Sequence, residues 1–505
     1  MHRPRTTRLV TAVAAALAVP LALATPAAAS PGPAPGDDAA PPAVASLPLE
    51  QNGGTWPTSH VQGVAVDQAG GFVYYSFTTL LAKYDLEGNL VGTVEGFTGH
   101  LGDLDFNAED GRVYGSLEYK DDEAFYVAVV DVDDVDEVGM DAQESDVFST
   151  VYLPEVHDDY AADMDGDGKF DGNVGDTADH RYGSSGIDGV SFGPAFGRTG
   201  GEQRLTVAYG IYANTSRTDN DHQVLLQYDV SDWARYERPL TEEDPHRSGP
   251  AEVDGKYFVR TGNTTYGVQN LAYDDAQQRW FLGVYRGTKP QFPNYLMFAV
   301  DAATRPVEGD LLGVPGPGGE GTERGLLLAL ADDGLVDEET GIRGWEQKAD
   351  VGLQPLGHGF FYLATNSGSS GAQTADLRLV RWTGDAEAPF APATEAELAG
   401  TCAVDYTVHG TWPRGFTSQV WVENTAATPV DGWTAAWRFG AGESLKNVWS
   451  VEAEQHGDVV RAANLGWNAA LAPGERTTFG FVGDAPSGTA APSLVTLNGF
   501  PCATA

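Results

Sequence analysis

The sequence predicts an all-β protein in which a five-bladed β-propeller precedes a C-terminal β-sandwich. Three observations predict it. Glycine is abundant, at 62 of 505 residues, and the apolar runs are short and broken by Gly, Asp and Asn, which suits strands and turns better than long helices. A strand-turn-strand pattern recurs five times between residues 60 and 382. Beyond residue 400, alternating runs such as 417–424 (TSQVWVEN), 433–439 (WTAAWRF) and 476–482 (RTTFGFV) are separated by Gly, Pro and Asn, the pattern of a sandwich. With 42% hydrophobic and 10% aromatic residues there is ample material for large cores. The 30 basic and 72 acidic residues give a net charge of −42, which excludes nucleic acid and anionic membrane as general partners because both need a cationic face.

Taken in chain order, residues 1–29 read as a signal peptide: Arg3, Arg5 and Arg8 precede an apolar stretch over 9–24 and the small-residue site Ala27-Ala28-Ala29. The mature chain is therefore expected outside the cell, and no later run is long and apolar enough to span a bilayer. Residues 30–45, rich in Pro and Ala, read as a flexible leader.

Residues 46–384 hold the repeats. The copies are HVQGVAVD…GFVYYSFTT, HLGDLDFN…GRVYGSLEYK, GIDGVSFG…LTVAYGIYAN, YGVQNLAYD…RWFLGVYRGT and PLGHGFFYLATN…LRLVRW. Small repeated sheets bury their faces only against neighbours, so five copies predict five blades in a ring, with long insertions to absorb the uneven spacing. Aligned on this pattern, the residues entering the innermost strands are Gln62, Asp103, Asp188, Asn270 and His358, and a second polar set is Thr78, Glu118, Tyr212, Arg286 and Asn366. Polar groups are costly in a dry channel, so their convergence predicts a sugar pocket or a bound metal. Asp188, Glu118 and Asp103 are the candidate catalytic carboxylates, since glycosidic hydrolysis uses one as general acid and one as nucleophile or base. Gln62, Tyr212, Asn270, Arg286 and His358, with His60 and His100, are the candidate substrate contacts. A structural alternative stands beside this for Asp103 and Asp188: such residues also cap turns or tie one blade to the next. A histidine pair on a metal, or a Lys or Tyr base in a lyase, are the other chemistries this ring admits.

Between the second and third copies, residues 163–171 read DMDGDGKFD. Asp163, Asp165 and Asp167 alternate ahead of Gly168, Lys169 offers a backbone carbonyl, and Asp171 follows, an arrangement that wraps oxygens around Ca2+. The glutamate expected at the twelfth position is Val174, so Asp176 or Asp179 has to complete the shell. A structural calcium pinning this insertion is the expectation.

Residues 385–399 (DAEAPFAPATEAELA) lack strand alternation and read as a linker. In 400–505 the only two cysteines, Cys402 and Cys502, bracket the segment and are expected to form a disulfide in an oxidising compartment. Six of the chain's 11 tryptophans lie here, more than so small a core can bury. The motifs CAVDYTVHGTWPRGF, DGWTAAWRF, NVWS, LGWNAALAPGE and LNGFPC resemble a family 2 carbohydrate-binding module. That resemblance implies that Trp412, Trp449 and Trp467 form a flat row stacking on the glucose rings of cellulose and that Trp433 and Trp437 are buried. Trp421 alternates with Val420 and Val422, and the pattern leaves its face open. Ser450 stands where the family usually has Asn, which places the polar rim in question.

The expectation for the whole is a secreted, monomeric protein held on cellulose by its C-terminal module, with the propeller acting on a second polysaccharide as a glycoside hydrolase of plant cell-wall hemicellulose. At the level of fold alone, the propeller resembles those of arabinan- and xylan-active glycosidases. The alternatives are a non-catalytic carbohydrate-binding or adhesion protein, and a polysaccharide lyase.

Overall fold

The computed structural model describes residues 46–316 and 320–504. The expected signal peptide and leader, residues 1–45, lie outside the described residues. Among the described residues the chain is all-β apart from short helical turns, and no helix is long and apolar enough to cross a membrane.

The repeats fold as five sheets whose strands named below pair antiparallel. The first contains Val61–Asp67, Phe72–Phe77, Leu80–Asp85 and Leu90–Glu95; the second His100–Asn107, Arg112–Tyr119, Ala124–Val130 and Phe148–Tyr152. The third runs Ser184–Pro194, Gln203–Ile211, His222–Tyr228 and Gly255–Arg260, and the fourth Thr265–Asp274, Arg279–Tyr285 and Met297–Asp301. Leu353–Gly357, Phe360–Ser369 and Ala372–Trp382 make the fifth, whose next strand is Glu50–Trp56 from the start of the chain. Pairing the first strand of the domain with one of its last ties both ends of the repeat region into one sheet.

The first strands of the sheets pack side by side in sequence order, and that of the fifth returns to that of the first. Their approach is close: a Cβ on Gly63 would lie 2.7 Å from the Asp103 Cα. A small residue is needed there because two backbones meet with no room for a side chain. Each sheet is apolar on both faces, as in Phe125, Val127 and Val129 against Ile187 and Val190, because each face is covered by a neighbouring sheet.

The C-terminal domain is a two-sheet sandwich. One sheet orders Ser444–Trp449, Arg476–Asp484, Gly415–Asn424 and Cys402–Trp412; the other orders Glu452–His456, Val459–Ala463, Thr434–Arg438 and Val495–Leu497. Alternation sends Val420, Val422, Phe479 and Phe481 inward against Trp433, Trp437 and Val460. Trp437 stacks on Phe479 and Phe481 with ring centroids 5.9 and 5.6 Å apart. Cys402 and Cys502 are disulfide-bonded.

Residues 385–399 differ from the expected linker. Phe390–Pro392 pairs with Ala372–Trp382, and Glu395–Leu398 forms a helical turn capped reciprocally by Thr394 and Glu397. Leu398 is buried in a core shared by the first and fifth sheets and the sandwich. The Thr-x-x-Glu capping box and buried Leu398 hold a segment whose composition alone suggested free chain.

The sandwich is docked, not merely tethered. Arg461 donates from Nε to the Ala69 carbonyl at 3.0 Å and from Nη2 to that of Gly70 at 2.6 Å. Gln68 donates to the carbonyls of Leu356 and Asn498, and the Leu47 N–H to that of Gly499. These contacts gather at the Asp67 end of Val61–Asp67, the end away from His60.

Candidate functional site

Two sites emerge. The first is a pocket of about 630 Å³ at the opening ends of the first strands, lined among others by His60, Gln62, His100, Glu118, Lys120, Asp188, Tyr266, Gln269 and Tyr285. Four of these strands break register where they enter it, between Val61 and Gly63, Leu101 and Leu104, Ile187 and Val190, and Val268 and Asn270. A bulge turns a side chain out of strict alternation, which is how Gln62, Asp188 and Gln269 come to aim into the mouth.

At its floor, Glu118 and Asp188 are almost wholly buried. Glu118 stands opposite His100 in the ladder, and its Oε1 is 3.3 Å from His100 Nδ1 and 2.9 Å from Lys120 Nζ. Its Oε2 accepts from the Ile187 N–H at 3.0 Å. Asp188 Oδ2 accepts from Gln269 Nε2 at 2.9 Å, whereas its Oδ1 lies 3.6 Å from His100 Nδ1 and has no hydrogen bond. One ligand atom each from His100, Glu118 and Asp188 lie within 4.8 Å of one another.

The two carboxylates are driven in opposite directions. Burial raises Asp188, the charge of Glu118 raises it further, and it reaches about 7. Burial also opposes ionisation of Glu118, but Lys120 and then His100 outweigh it and hold the group below its ordinary value. Burial disfavours the His100 cation, yet the hydrogen bond to Glu118 and the charge of Asp188 raise its pKa. Tyr266, half exposed at the mouth, holds a left-handed backbone with φ of 62°, a conformation a bulky residue rarely adopts.

The other expected pocket residues divide. Asp103 is not a pocket carboxylate: its Oδ2 accepts from the N–H groups of Val190 and Leu271 at 3.0 and 2.8 Å, and its Oδ1 from Asn270 Nδ2 at 2.8 Å. It ties the second, third and fourth sheets together. Asn270 belongs to the same network, donating also to the Gln62 carbonyl, and Gln269 takes its expected place in the pocket. Arg286 is exposed and paired with Glu346, and Tyr212 sits outside the lining with its hydroxyl on Asn173. His358 is at the opposite end of the domain, bonded to Thr428 of the sandwich at 2.7 Å. It follows the innermost strand of the fifth sheet instead of opening it, so the fifth copy was set out of phase. Lys120 escaped the repeat alignment, although its spacing of two from Glu118 puts both on one side of an extended chain.

In the acidic loop, Asp163 and Asp165 bring one oxygen each within 4.8 Å of one from Asp179. Asp167 instead accepts from the Lys169 N–H at 2.8 Å and pairs with the Lys169 ammonium, and the Asp171 N–H donates to Asp179 at 2.7 Å.

The second site is an aromatic face. Trp412, Trp449 and Trp467 are 49%, 44% and 70% exposed, whereas Trp433 and Trp437 are buried. Trp412 pairs with Gly415 and Trp449 with Gly480, which in turn pairs with Gln419. Gly415 and Gln419 are four apart on one strand, so both indoles project from the outer side of the same sheet. Trp449 lies flat on Gly480, where a Cβ would come within 2.3 Å of the ring. Trp467 follows in a loop closed by Asn468, which accepts from the Leu465 N–H and donates to the Ser450 carbonyl, fastening it beside Trp449. Trp421 shares this outer side, with the Arg476 guanidinium 4.9 Å over its ring.

The family match falls within this domain. Residues 402–502 match the family described as cellulose binding domain. Exoglucanase A of Cellulomonas fimi is 37% identical over 117 residues, 23% of this chain and 13% of its own length; exoglucanase B of the same organism is 32% identical over 185 residues, 33% and 17%. Chitinase C of Streptomyces lividans is 36% identical over 110 residues, 22% of this chain and 17% of its own. The chain thus spans less than a fifth of each of these relatives. Among solved structures, the chitin-binding domain of Chi18aC from Streptomyces coelicolor is 35% identical, with 21% of this chain covering 96% of that one and a TM-score of 0.19. With its disulfide, its paired sheets and its outward tryptophans, the C-terminal domain, residues 402–502, is a family 2 cellulose-binding module.

Proposed function

We propose that this is a secreted glycoside hydrolase in which a five-bladed propeller, made of the five sheets, cleaves a plant cell-wall polysaccharide while the C-terminal module holds it on cellulose. The observation that carries the reading is the pair Glu118 and Asp188: two buried carboxylates in one pocket, one driven towards ionisation and the other towards keeping its proton. Carboxyl groups pushed apart in this way divide the roles of base and acid between them. Asp188 is then the general acid, protonating the leaving oxygen, with Gln269 fixing its orientation. Glu118 is the nucleophile, and the approach of the two groups to within 4.8 Å suits a retaining reaction, whose carboxyls stand about 5–5.5 Å apart. Tyr266 and Tyr285 at the mouth offer faces for sugar rings. The test is mass spectrometry of products after incubating the full chain with a panel of plant polysaccharides. Saturated oligosaccharides from one substrate, lost in Asp188→Asn and Glu118→Gln, are expected. Unsaturated ends would establish a lyase instead, and absence of any product would sink the catalytic reading for that panel.

A second reading rests on Lys120. Its ammonium, 2.9 Å from Glu118, occupies the nucleophile's oxygen and places positive charge where a divalent cation would otherwise sit. A pocket so neutralised binds a sugar without cleaving it. Calorimetric binding of an oligosaccharide by the full chain with no product formed would favour this reading.

A further inference from the structure

We propose that the loop over residues 163–179 is a calcium site, built by Asp163, Asp165 and Asp179, that fixes one wall of the pocket. An acidic loop alone would be no more than a solvated surface, and Asp179 is what distinguishes this one. It is 1% exposed, its Oδ2 is satisfied by the Asp171 N–H and the Thr177 hydroxyl, and its Oδ1 is buried without any hydrogen-bond partner. A buried carboxylate oxygen left unpaired costs stability unless a ligand fills the vacancy in its bonding. Exposed Asp163 and Asp165 each bring one oxygen within 4.8 Å of an oxygen of this buried carboxylate.

The donors are all carboxylate oxygens on a curled loop, in which Gly168 donates to Asp163 and Asp167 to Asp165. Hard oxygen donors on an adaptable loop select Ca2+; soft metals prefer Cys and His, and Mg2+ demands a stricter octahedron. The ligand set differs from the one expected from alternation alone. Asp179 replaces Asp167 and Asp171, whose carboxylates lie outside the group of three.

The loop reaches the pocket through its far side. Asn173 lines the cavity and accepts from the Tyr212 hydroxyl, and Asn214 donates to the Gly175 carbonyl at 2.9 Å. Beneath, Phe170 packs on Tyr160 and His180 with centroids 5.4 and 5.6 Å apart. A cation joining Asp163 and Asp165 to buried Asp179 therefore closes residues 163–179 into one body that carries Asn173. This holds whichever chemistry the pocket performs.

The experiment uses the full chain stripped with chelator. Isothermal titration with CaCl2 is expected to show one site, lost in Asp165→Asn and Asp163→Asn, whose side chains are exposed and take no part in the core, and kept in Asp171→Asn. In parallel, trypsin cleavage after exposed Lys169 reports opening of the loop. If only the closed loop binds, calcium at a hundred times Kd slows that cleavage about a hundredfold in the wild type and not in Asp165→Asn. No calcium heat from the wild type, or equal binding by Asp165→Asn, would overturn the site. Calcium binding without protection at Lys169 would overturn its role in fixing the wall.

Discussion

At Asp188 the proton is the functional quantity. Because burial and Glu118 raise its pKa to about 7, the acid form persists through the weakly acidic range, while Glu118 is ionised there because Lys120 and His100 hold its pKa down. A reaction needing protonated Asp188 and ionised Glu118 runs on a plateau below neutrality and falls as pH rises through about 7, a value belonging to the interacting pair. Asp188→Asn should lower turnover by about 10²–10⁴-fold and abolish that alkaline limb, which a pH-rate profile on any cleaved substrate would read. A wild-type profile flat through neutrality would count against Asp188 as the acid. Asp103 shows the opposite use of a buried carboxylate. Replacing it with Ala strands the N–H groups of Val190 and Leu271, at about 1–3 kcal/mol for each buried group left unpaired, while Asn270 keeps the Gln62 and Gln269 carbonyls. Chemical denaturation should show a loss of several kcal/mol, and a loss under about 1 kcal/mol would refute the role of Asp103 as a tie between sheets. From sequence, both aspartates entered the ring as equals. Only the burial of one behind backbone donors from two other strands separates them, and no local pattern encodes contacts 87 and 168 residues away.

At the level of elements, legibility followed periodicity. The sandwich strands alternate cleanly enough to show the fold, and the family resemblance of the motifs let the division of Trp412 and Trp449 from Trp433 and Trp437 be read from the sequence. Trp421 could not be read, because its neighbours Val420 and Val422 mark it as outward while its size suggests core; Arg476 over its ring reconciles the two. The repeats likewise placed the opening strands of four sheets, and the fifth failed because its register break, between Pro355 and Gly357, lies at the far end of the strand from the pocket. The aromatic face yields its own prediction. Trp449 and Trp467 are held by Gly480 and by the Asn468 loop without entering the core, so Trp→Ala at either should leave the melting temperature unchanged. Each stacking contact is worth about 0.5–1.5 kcal/mol, so cellulose binding should weaken by roughly 2–10-fold for each. Depletion assays with microcrystalline cellulose measure it, and full retention of binding in the double variant would refute the face.

For the molecule as a whole, the strand Val61–Asp67 sets the geometry. His60 and Gln62 at its first end line the pocket, and the turn over Ala69 and Gly70 at its last end receives Arg461 of the module. At about 3.3 Å per residue the two lie roughly 20 Å apart on opposite ends of the domain, so the pocket opens away from the face the module occupies. A module docked this way carries the pocket at a fixed attitude, whereas one on a free linker only raises local concentration. Composition hid this, since an Ala-, Pro- and Glu-rich segment looks like free chain until Leu398 is seen in the shared core. The rigid arrangement depends on few polar contacts. Arg461→Ala with Gln68→Ala removes the donors to three carbonyls across the contact, those of Ala69, Gly70 and Asn498. Small-angle X-ray scattering of that double variant should show a larger radius of gyration and a broader distance distribution than the wild type, with unchanged disulfide content. If the two curves superimpose, docking is carried instead by the apolar contacts of Leu47, Phe360 and Phe500, and Phe500→Ala, which removes the ring packed against His358 and Phe360, becomes the variant that must release the module.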